Sequence, residues 1–237
     1  MLWIILGIAA FIFATYCLIP SYWARNYSSK VLRKGASDKK WIALTFDDGP
    51  NPHYTPLLLD ILRKYNVPAT FFLTGNYAAL NPDLVKRIGT EGHLVGCHSY
   101  FHHHAWLMPP FTTYMDMVKT YEIIKKILGQ APRWYRPPWG TFNLFSIIAS
   151  RKLKLNPAYW SIEAQDWKAK TTVEHIRNTV LTQAEPGSII VLHDNRGADG
   201  APEKTLKALP SIIESLQKQG YKFVTLDEMK GATECLR

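Results

Sequence analysis

Thr45-Phe46-Asp47-Asp48-Gly49-Pro50 closes an apolar run, residues 41–46, with two adjacent carboxylates and an immediate turn. Neighbouring side chains on a strand point to opposite faces. Both acids can serve one site only if the strand ends here, and Gly49-Pro50 ends it. Two carboxylates at a strand's carboxyl end suggest one metal ligand and one proton acceptor. Asp and Gly are also ordinary turn residues, so a lone Asp-Asp-Gly reads as an acidic turn. The rest of the chain reverses that reading.

Seven β-like runs punctuate the sequence, at 41–46, 67–73, 93–97, 134–136, 157–162, 188–193 and 221–226. Helical spacing separates them at 55–65, 111–128, 143–152, 173–184 and 203–219. Another helix opens at Asn81-Pro82, with Asn81 as N-cap, and Gly129 and Gly220 stop two others. Strands alternating with helices imply an α/β protein with a parallel sheet, either open or closed into a barrel. A barrel places its active site at the carboxyl ends of its strands. The chemical residues recur there: Asp47 and Asp48 after the first run, His98 after the third, Arg136 closing the fourth, His193 and Asp194 closing the sixth.

At 237 residues the chain can bury one good core. The formal charge is +9, much of it crowded into Arg25, Lys30, Arg33, Lys34, Lys39 and Lys40, opposed only by Asp38. No basic stripe with interleaved aromatics marks a nucleic-acid partner. A basic segment beside a membrane suits anionic headgroups instead. Residues 2–19 form an uncharged apolar run. As a helix it spans about 27 Å, close to a hydrocarbon core of roughly 30 Å. Trp3 near one end, and Tyr16, Tyr22 and Trp23 near the other, match interfacial anchors. The run is long for a signal peptide and lacks a small-x-small cleavage site. The expected organisation is a transmembrane anchor at 1–20, a basic juxtamembrane linker at 21–39 and a catalytic domain at 40–237. The basic flank favours a cytoplasmic domain by the positive-inside rule, and no basic residue precedes the run to oppose it. Cys17, Cys97 and Cys235 form neither a disulfide framework nor a zinc site, although Cys97 and Cys235 could pair.

His98-Ser99-Tyr100-Phe101-His102 follows the third run. Histidines at i and i+4 share a face if the chain makes one helical turn, which Ser99 could cap. Two His and one carboxylate form a catalytic metal set with open positions. His103 and His104 come next, so spacing alone leaves the choice of histidines open. Arg136-Pro137-Pro138-Trp139-Gly140 is a rigid loop whose arginine could hold a carboxylate. The segment 160–167 sets Glu163 and Asp166 among Trp160 and Trp167, and Trp faces meet sugar rings as well as cores. A buried-type strand ends in Leu192-His193-Asp194, where a histidine can act as general acid or base.

Together these segments resemble the polysaccharide deacetylase family, the NodB-homology domain of carbohydrate esterase family 4. The resemblance spans roughly residues 40–229 and places five motifs in the family's order: residues 45–50, His98 to His102, residues 136–140, Asp166-Trp167, and residues 192–194. One departure is Glu163, where many members carry aspartate. The resemblance implies a distorted (β/α)7 barrel. It implies a divalent metal on Asp48, His98 and His102, Zn²⁺ first, with Co²⁺ or another divalent ion as alternatives. The metal would acidify water and polarise an amide carbonyl. Asp47 would be the base, oriented by Arg136. His193 would protonate the leaving amine, positioned by Asp166. The metal and a backbone N–H near Trp139 would stabilise the oxyanion. Pro137, Trp139, Gly140, Trp167 and Leu192 would contact substrate. The expected reaction is N-deacetylation of an N-acetylated glycan by a monomer anchored in the cell membrane with its domain outside. Peptidoglycan comes first among substrates, then a lipid-linked glycan, then chitin fragments or xylan. A catalytically silent carbohydrate-binding protein would have lost a ligand, the base or the acid, and none is lost here. A phosphoesterase would call for more carboxylates, a second metal or phosphate clamps.

Overall fold

The computed structural model describes residues 1–234. The helices are α1 (Leu2–Phe13), α2 (Ile19–Asn26), α3 (Tyr54–Tyr65), α4 (Gly75–Leu80), α5 (Pro82–Thr90), α6 (Pro110–Leu128), α7 (Leu144–Lys152), α8 (Val173–Gln183), α9 (Ala201–Lys218) and α10 (Leu226–Glu234). The strands are β1 (Trp41–Asp47), β2 (Thr70–Leu73), β3 (Leu94–Cys97), β4 (Trp134–Tyr135), β5 (Asn156–Pro157), β6 (Ile162–Glu163), β7 (Ile189–His193) and β8 (Lys222–Phe223). All their pairings are parallel, in the order β5-β4-β3-β2-β1-β7-β6, with β8 beside the start of β1. This is the distorted seven-unit barrel expected from the sequence.

The expected fifth strand, 157–162, is two strands. β5 pairs with β4 and β6 with β7, at the two ends of the sheet order. The segment 156–163 therefore bridges the opening that separates a curled sheet from a closed barrel. It cannot run as one strand because its middle is used elsewhere. Tyr159 N donates to Leu32 O at 2.8 Å and Leu32 N donates to Pro157 O at 3.0 Å. That pairing partner lies over a hundred residues away, so no local pattern announced it.

The core fills the space between sheet and helices. Leu58, Leu59 and Leu62 of α3 and Leu209, Ile212 and Leu216 of α9 are buried against Leu44, Phe46 and Ile190. Full burial of each such side chain contributes about 1.5–3 kcal/mol. Pro82 opens α5, and Gly129, at φ 69°, stops α6 as expected. Asn81 is the N-cap residue of α5 as expected, but its side-chain amide donates back to Tyr77 O at 3.0 Å and makes no capping bond.

At the amino terminus the helix Leu2–Asn26 is long and apolar enough to cross a membrane, with a mean hydropathy of 2.5 over its most apolar 18 residues. It continues past the expected end of the apolar run. A π-helical turn, Ala14–Leu18, precedes Pro20, which has no N–H to donate. Residues 27–40 run over the domain: Arg33 donates to Ala24 O and Ser28 O, Gly35 N donates to Gly187 O, and Lys34 pairs with Glu185 at 2.7 Å. Cys97 is a buried free thiol, and Cys235 lies outside the described residues.

Gly49 shows how tightly the turn after β1 is packed. A Cβ there would lie 2.5 Å from both carboxylate oxygens of Asp194. Asp194 is itself buried and accepts a bond from Thr55 Oγ1. Gly49→Ala is expected to cost about 1–3 kcal/mol by overpacking, a fall in Tm of roughly 2–12 °C for a domain of this size. An unchanged melting curve would mean that Asp194 has room to turn away.

Candidate active site

The site lies at the carboxyl ends of β1, β3 and β7. β1 ends at Asp47, and Asp48 adopts φ 77°. This left-handed turn breaks the strand's alternation, so both carboxylates face one cleft. Asp48 Oδ1 lies 3.0 Å from His102 Nε2 and 3.4 Å from His98 Nε2. The two imidazoles do not share a helical turn. Residues 98–104 form an irregular loop in which Ser99 and His102 have φ of 69° and 62°. The loop backbone bonds outward: Gly75 N donates to Ser99 O, Asn76 N to Tyr100 O, and Tyr100 N to Asp116 Oδ2. Ser99 thus has no helix to cap. The expected pairing of His98 with His102 stands, carried by strained loop residues.

His103 is exposed and lies near Phe101, and His104 Nδ1 accepts from Trp106 N. Among the described residues His98 and His102 converge with Asp48, and His103 and His104 do not join them.

The donor set fits a cation. His98 Nδ1 meets Arg136 O at 2.8 Å; a carbonyl can only accept, so this nitrogen carries the proton. His98 Nε2 is then a bare lone pair facing a carboxylate oxygen. Among the described residues no hydrogen bond satisfies buried Asp48 Oδ1. Buried acceptors gathered on one point are unfavourable unless a positive ion sits among them.

On one side of this cluster stands Asp47. Arg136 donates through one nitrogen to Asp47 Oδ1 and Thr45 Oγ1, both at 2.7 Å, and through another to Tyr159 O at 2.9 Å. The guanidinium is fully buried, 4.2 Å from the centre of the Phe72 ring. On the other side stands His193. Asp166 accepts from His193 N at 2.8 Å and meets His193 Nδ1 at 2.7 Å, while Thr205 Oγ1 donates to Asp166 at 2.7 Å. Burial works against a charged His193 ring. The charge and hydrogen bond of Asp166, with Asp48 and Asp47, outweigh it and raise the pKa to about 10. Burial likewise pushes the Asp194 carboxyl up to about 7, with Asp48 adding to the rise.

A cleft of about 440 Å³ joins these groups, walled by Trp139, Tyr159, Trp160 and Trp167. Trp139, at φ 53°, and Trp167 are exposed, as expected of substrate contacts. Pro137 and Gly140 are buried and do not line the cleft; Gly140, at φ 62°, fits against Tyr159 and shapes the loop. Leu192 is a correction. It packs in the core on the opposite face of β7, and the alternation of the strand presents Val191 and His193 to the cleft instead. Five cleft residues escaped the sequence reading: Arg25, Tyr159, Val191, Arg196 and Gly197. Arg25 comes from α2, its guanidinium 5.1 Å from the Tyr159 ring centre. No motif links it to the site.

A family model described as polysaccharide deacetylase matches residues 34–158. The chain belongs to the polysaccharide deacetylase family. It is 37% identical over 210 residues to a peptidoglycan-N-acetylglucosamine deacetylase of Bacillus cereus, covering 89% of this chain and 74% of that one. It is 36% identical over 213 residues to a chitooligosaccharide deacetylase of Rhizobium leguminosarum bv. trifolii, covering 86% and 99%. Among solved structures, a peptidoglycan N-acetylglucosamine deacetylase bound to 4-naphthalen-1-yl-N-oxidanyl-benzamide aligns with a TM-score of 0.81 at 35% identity, covering 87% and 94%. A pseudoenzyme of carbohydrate esterase family 4 from Bacillus anthracis aligns with a TM-score of 0.77 at 27% identity, covering 86% and 70%. The chain is thus a carbohydrate deacetylase by family.

If Asp48, His98 and His102 are the ligands, His98→Ala or His102→Ala removes stoichiometric metal, measured by atomic emission on purified protein. His103→Ala keeps it. Metal that survives the loss of His98 but not of His103 would reverse the assignment.

Proposed function

We propose that this protein is a metal-dependent N-deacetylase acting on N-acetylated amino sugars of a cell-envelope glycan, with peptidoglycan the first candidate. One observation carries the reading: a cation-shaped Asp-His-His cluster stands between a carboxylate clamped by arginine and a histidine clamped by aspartate, in one aromatic-walled cleft. The Bacillus cereus and Rhizobium relatives act, by their names, on peptidoglycan and on chitooligosaccharides, and both support an N-acetylglucosamine unit.

A divalent ion held by Asp48, His98 and His102, with Zn²⁺ suited to this donor set, supplies a Lewis acid that polarises the acetamide carbonyl and acidifies water. Asp47 accepts the proton of the attacking water. Arg136 and Thr45 fix that carboxylate, so it reaches the cleft in one orientation. A backbone N–H at Trp139 adds a donor to the oxyanion. His193 enters the reaction charged. Asp166 holds its Nδ1, which leaves Nε2–H to protonate the departing amine. The carbon–nitrogen bond breaks, releasing acetate and the free amino sugar.

The amino-terminal helix is read as a retained single-span anchor with the catalytic domain on the outer side, where the glycan is. Trp3 at one end, with Tyr22 and Trp23 exposed at the other, supports a membrane-seated helix. A catalytically silent carbohydrate-binding protein is disfavoured because every candidate ligand, base and acid is present and in one cleft.

Acetate release from N-acetylglucosamine oligomers, peptidoglycan and xylan, measured side by side, tests the activity. No release from any of them would sink it. Asp47→Asn and His193→Ala should each lower kcat by about 10²–10⁴-fold, with bound metal unchanged. Losses below tenfold would place the base or the acid elsewhere.

His193 works protonated, so the rate should hold below about pH 10 and fall as pH rises through the His193 pKa. Asp166→Asn removes the group that raises that pKa. Its alkaline limb should therefore move to lower pH, and an unmoved limb would mean that another group titrates there.

A further inference from the structure

The apolar helix is longer than the part of it that stands free. Every residue of α1, the twelve from Leu2 to Phe13, is exposed. Beyond Phe13 the helix lies against the folded domain. The Phe13 ring meets Trp106 edge to face at 5.8 Å, Tyr16 Oη donates to Met108 O at 2.8 Å, and Phe142 N donates to Ser21 Oγ at 3.2 Å. Cys17 and Ala24 are buried beneath it. Twelve helical residues rise only about 18 Å, well short of a hydrocarbon core of roughly 30 Å. The remaining apolar residues, up to Ile19, can reach the bilayer only if the surface they lie on reaches it too.

That surface is made for it. Residues 105–115 contain no charge, and Leu107 is 84% exposed and Phe111 74% exposed. Pro109 and Pro110 between them are exposed as well. Residues 139–150 also carry no charge; Leu144 is exposed and the Phe145 ring lies 6.2 Å from Tyr16. Asn143 ties the two stretches together, donating to Ala105 O at 2.7 Å and Thr113 Oγ1 at 3.0 Å. Three charge-free segments, 1–24, 105–115 and 139–150, thus meet where the helix leaves the domain. Exposed bases stand just past the end of 139–150 at Arg151 and Lys152, where long cationic side chains can reach headgroups.

We propose that this surface sits in the bilayer interface, with Leu107 and Phe111 inserted beside the anchor, so that the catalytic domain rides on the membrane. The proposal rests on reading Leu2–Asn26 as a retained span. It also narrows the substrate. Arg25, in the cleft wall, is twelve residues past the helix exit, about 18 Å along the axis. His104 lies 5.3 Å from the Trp106 ring and 5.4 Å from the Trp139 ring, joining the apolar surface to the cleft rim. The cleft therefore opens close to the membrane plane, and the glycan it takes is one still tethered to lipid.

The full-length chain in phosphatidylcholine–phosphatidylglycerol vesicles tests this. An environment-sensitive fluorescent amino acid replaces Ile5, Leu107, Phe111 or Gln217 one at a time, and nitroxide-labelled lipids serve as quenchers. The expected result is quenching at 5, 107 and 111 and none at exposed Gln217 on α9. Quenching at 5 without quenching at 107 and 111 overturns the docked arrangement while leaving the span intact. No quenching at 5 overturns the span reading itself. In a second arm, the double variant Leu107→Asp, Phe111→Asp should keep its rate on a soluble N-acetylglucosamine oligomer and lose at least tenfold on the same oligomer tethered to lipid in the vesicles. Equal rates on both substrates would refute the proposal.

Discussion

A buried guanidinium holds the barrel and the site together. Arg136 reaches from the end of β4 across the barrel interior to β1, where it binds Thr45 and Asp47, and to the closing segment at Tyr159 O. Its own carbonyl receives the proton of His98. Phe72 and Trp160 lie under and beside its plane. One residue thus fixes the Asp47 carboxylate, sets the tautomer of His98 and pins the segment that joins the two ends of the sheet. Burying an unpaired guanidinium costs several kcal/mol. The carboxylate of Asp47, with Thr45 Oγ1 and Tyr159 O, offsets that cost at two of its nitrogens, and the clamp leaves Asp47 little freedom to turn.

The same economy governs the other side of the cleft. Asp166 satisfies the backbone and the ring of His193 at once and is itself held by Thr205 on α9. The His193 ring is then both aimed and kept charged by one carboxylate. Asp47 and His193 flank the Asp48, His98 and His102 cluster, so in the proposed reaction each would act on its own atom of a bound amide. The strained backbone at Asp48, Ser99, His102 and Trp139 belongs to this arrangement. Left-handed residues cost about 1–3 kcal/mol each, and the surrounding bonds to Asp116, α4 and β2 supply the constraint.

The amino-terminal helix is continuous with this architecture. Its second half is part of the domain surface, and Arg25 at its end is part of the cleft. The basic residues that follow are mostly committed to the fold: Arg33 to backbone carbonyls, Lys34 to Glu185, Lys39 to the Trp41 ring.

Much of the protein was legible in its sequence because the decisive signals are local. Strand ends are marked by turn residues, helices by their spacing, and the motifs sit where strands stop. Asp47, Asp48, Arg136, Asp166 and His193 could be placed in this way, and the family resemblance gave each a role. Other features required the folded chain. Whether His98 is joined by His102, His103 or His104 depends on a loop whose bonds go to α4 and α6. Leu192 seemed to belong to the site because it adjoins His193 in sequence, yet strand alternation turns it into the core. The split of 156–163 into β5 and β6 depends on pairing with Leu32, and the entry of Arg25 into the cleft depends on how a distant helix docks. The sequence determined the elements and the chemical groups, since both are written in short-range pattern. The tertiary structure decided which groups meet, since contacts between residues a hundred positions apart leave no periodic trace in the chain.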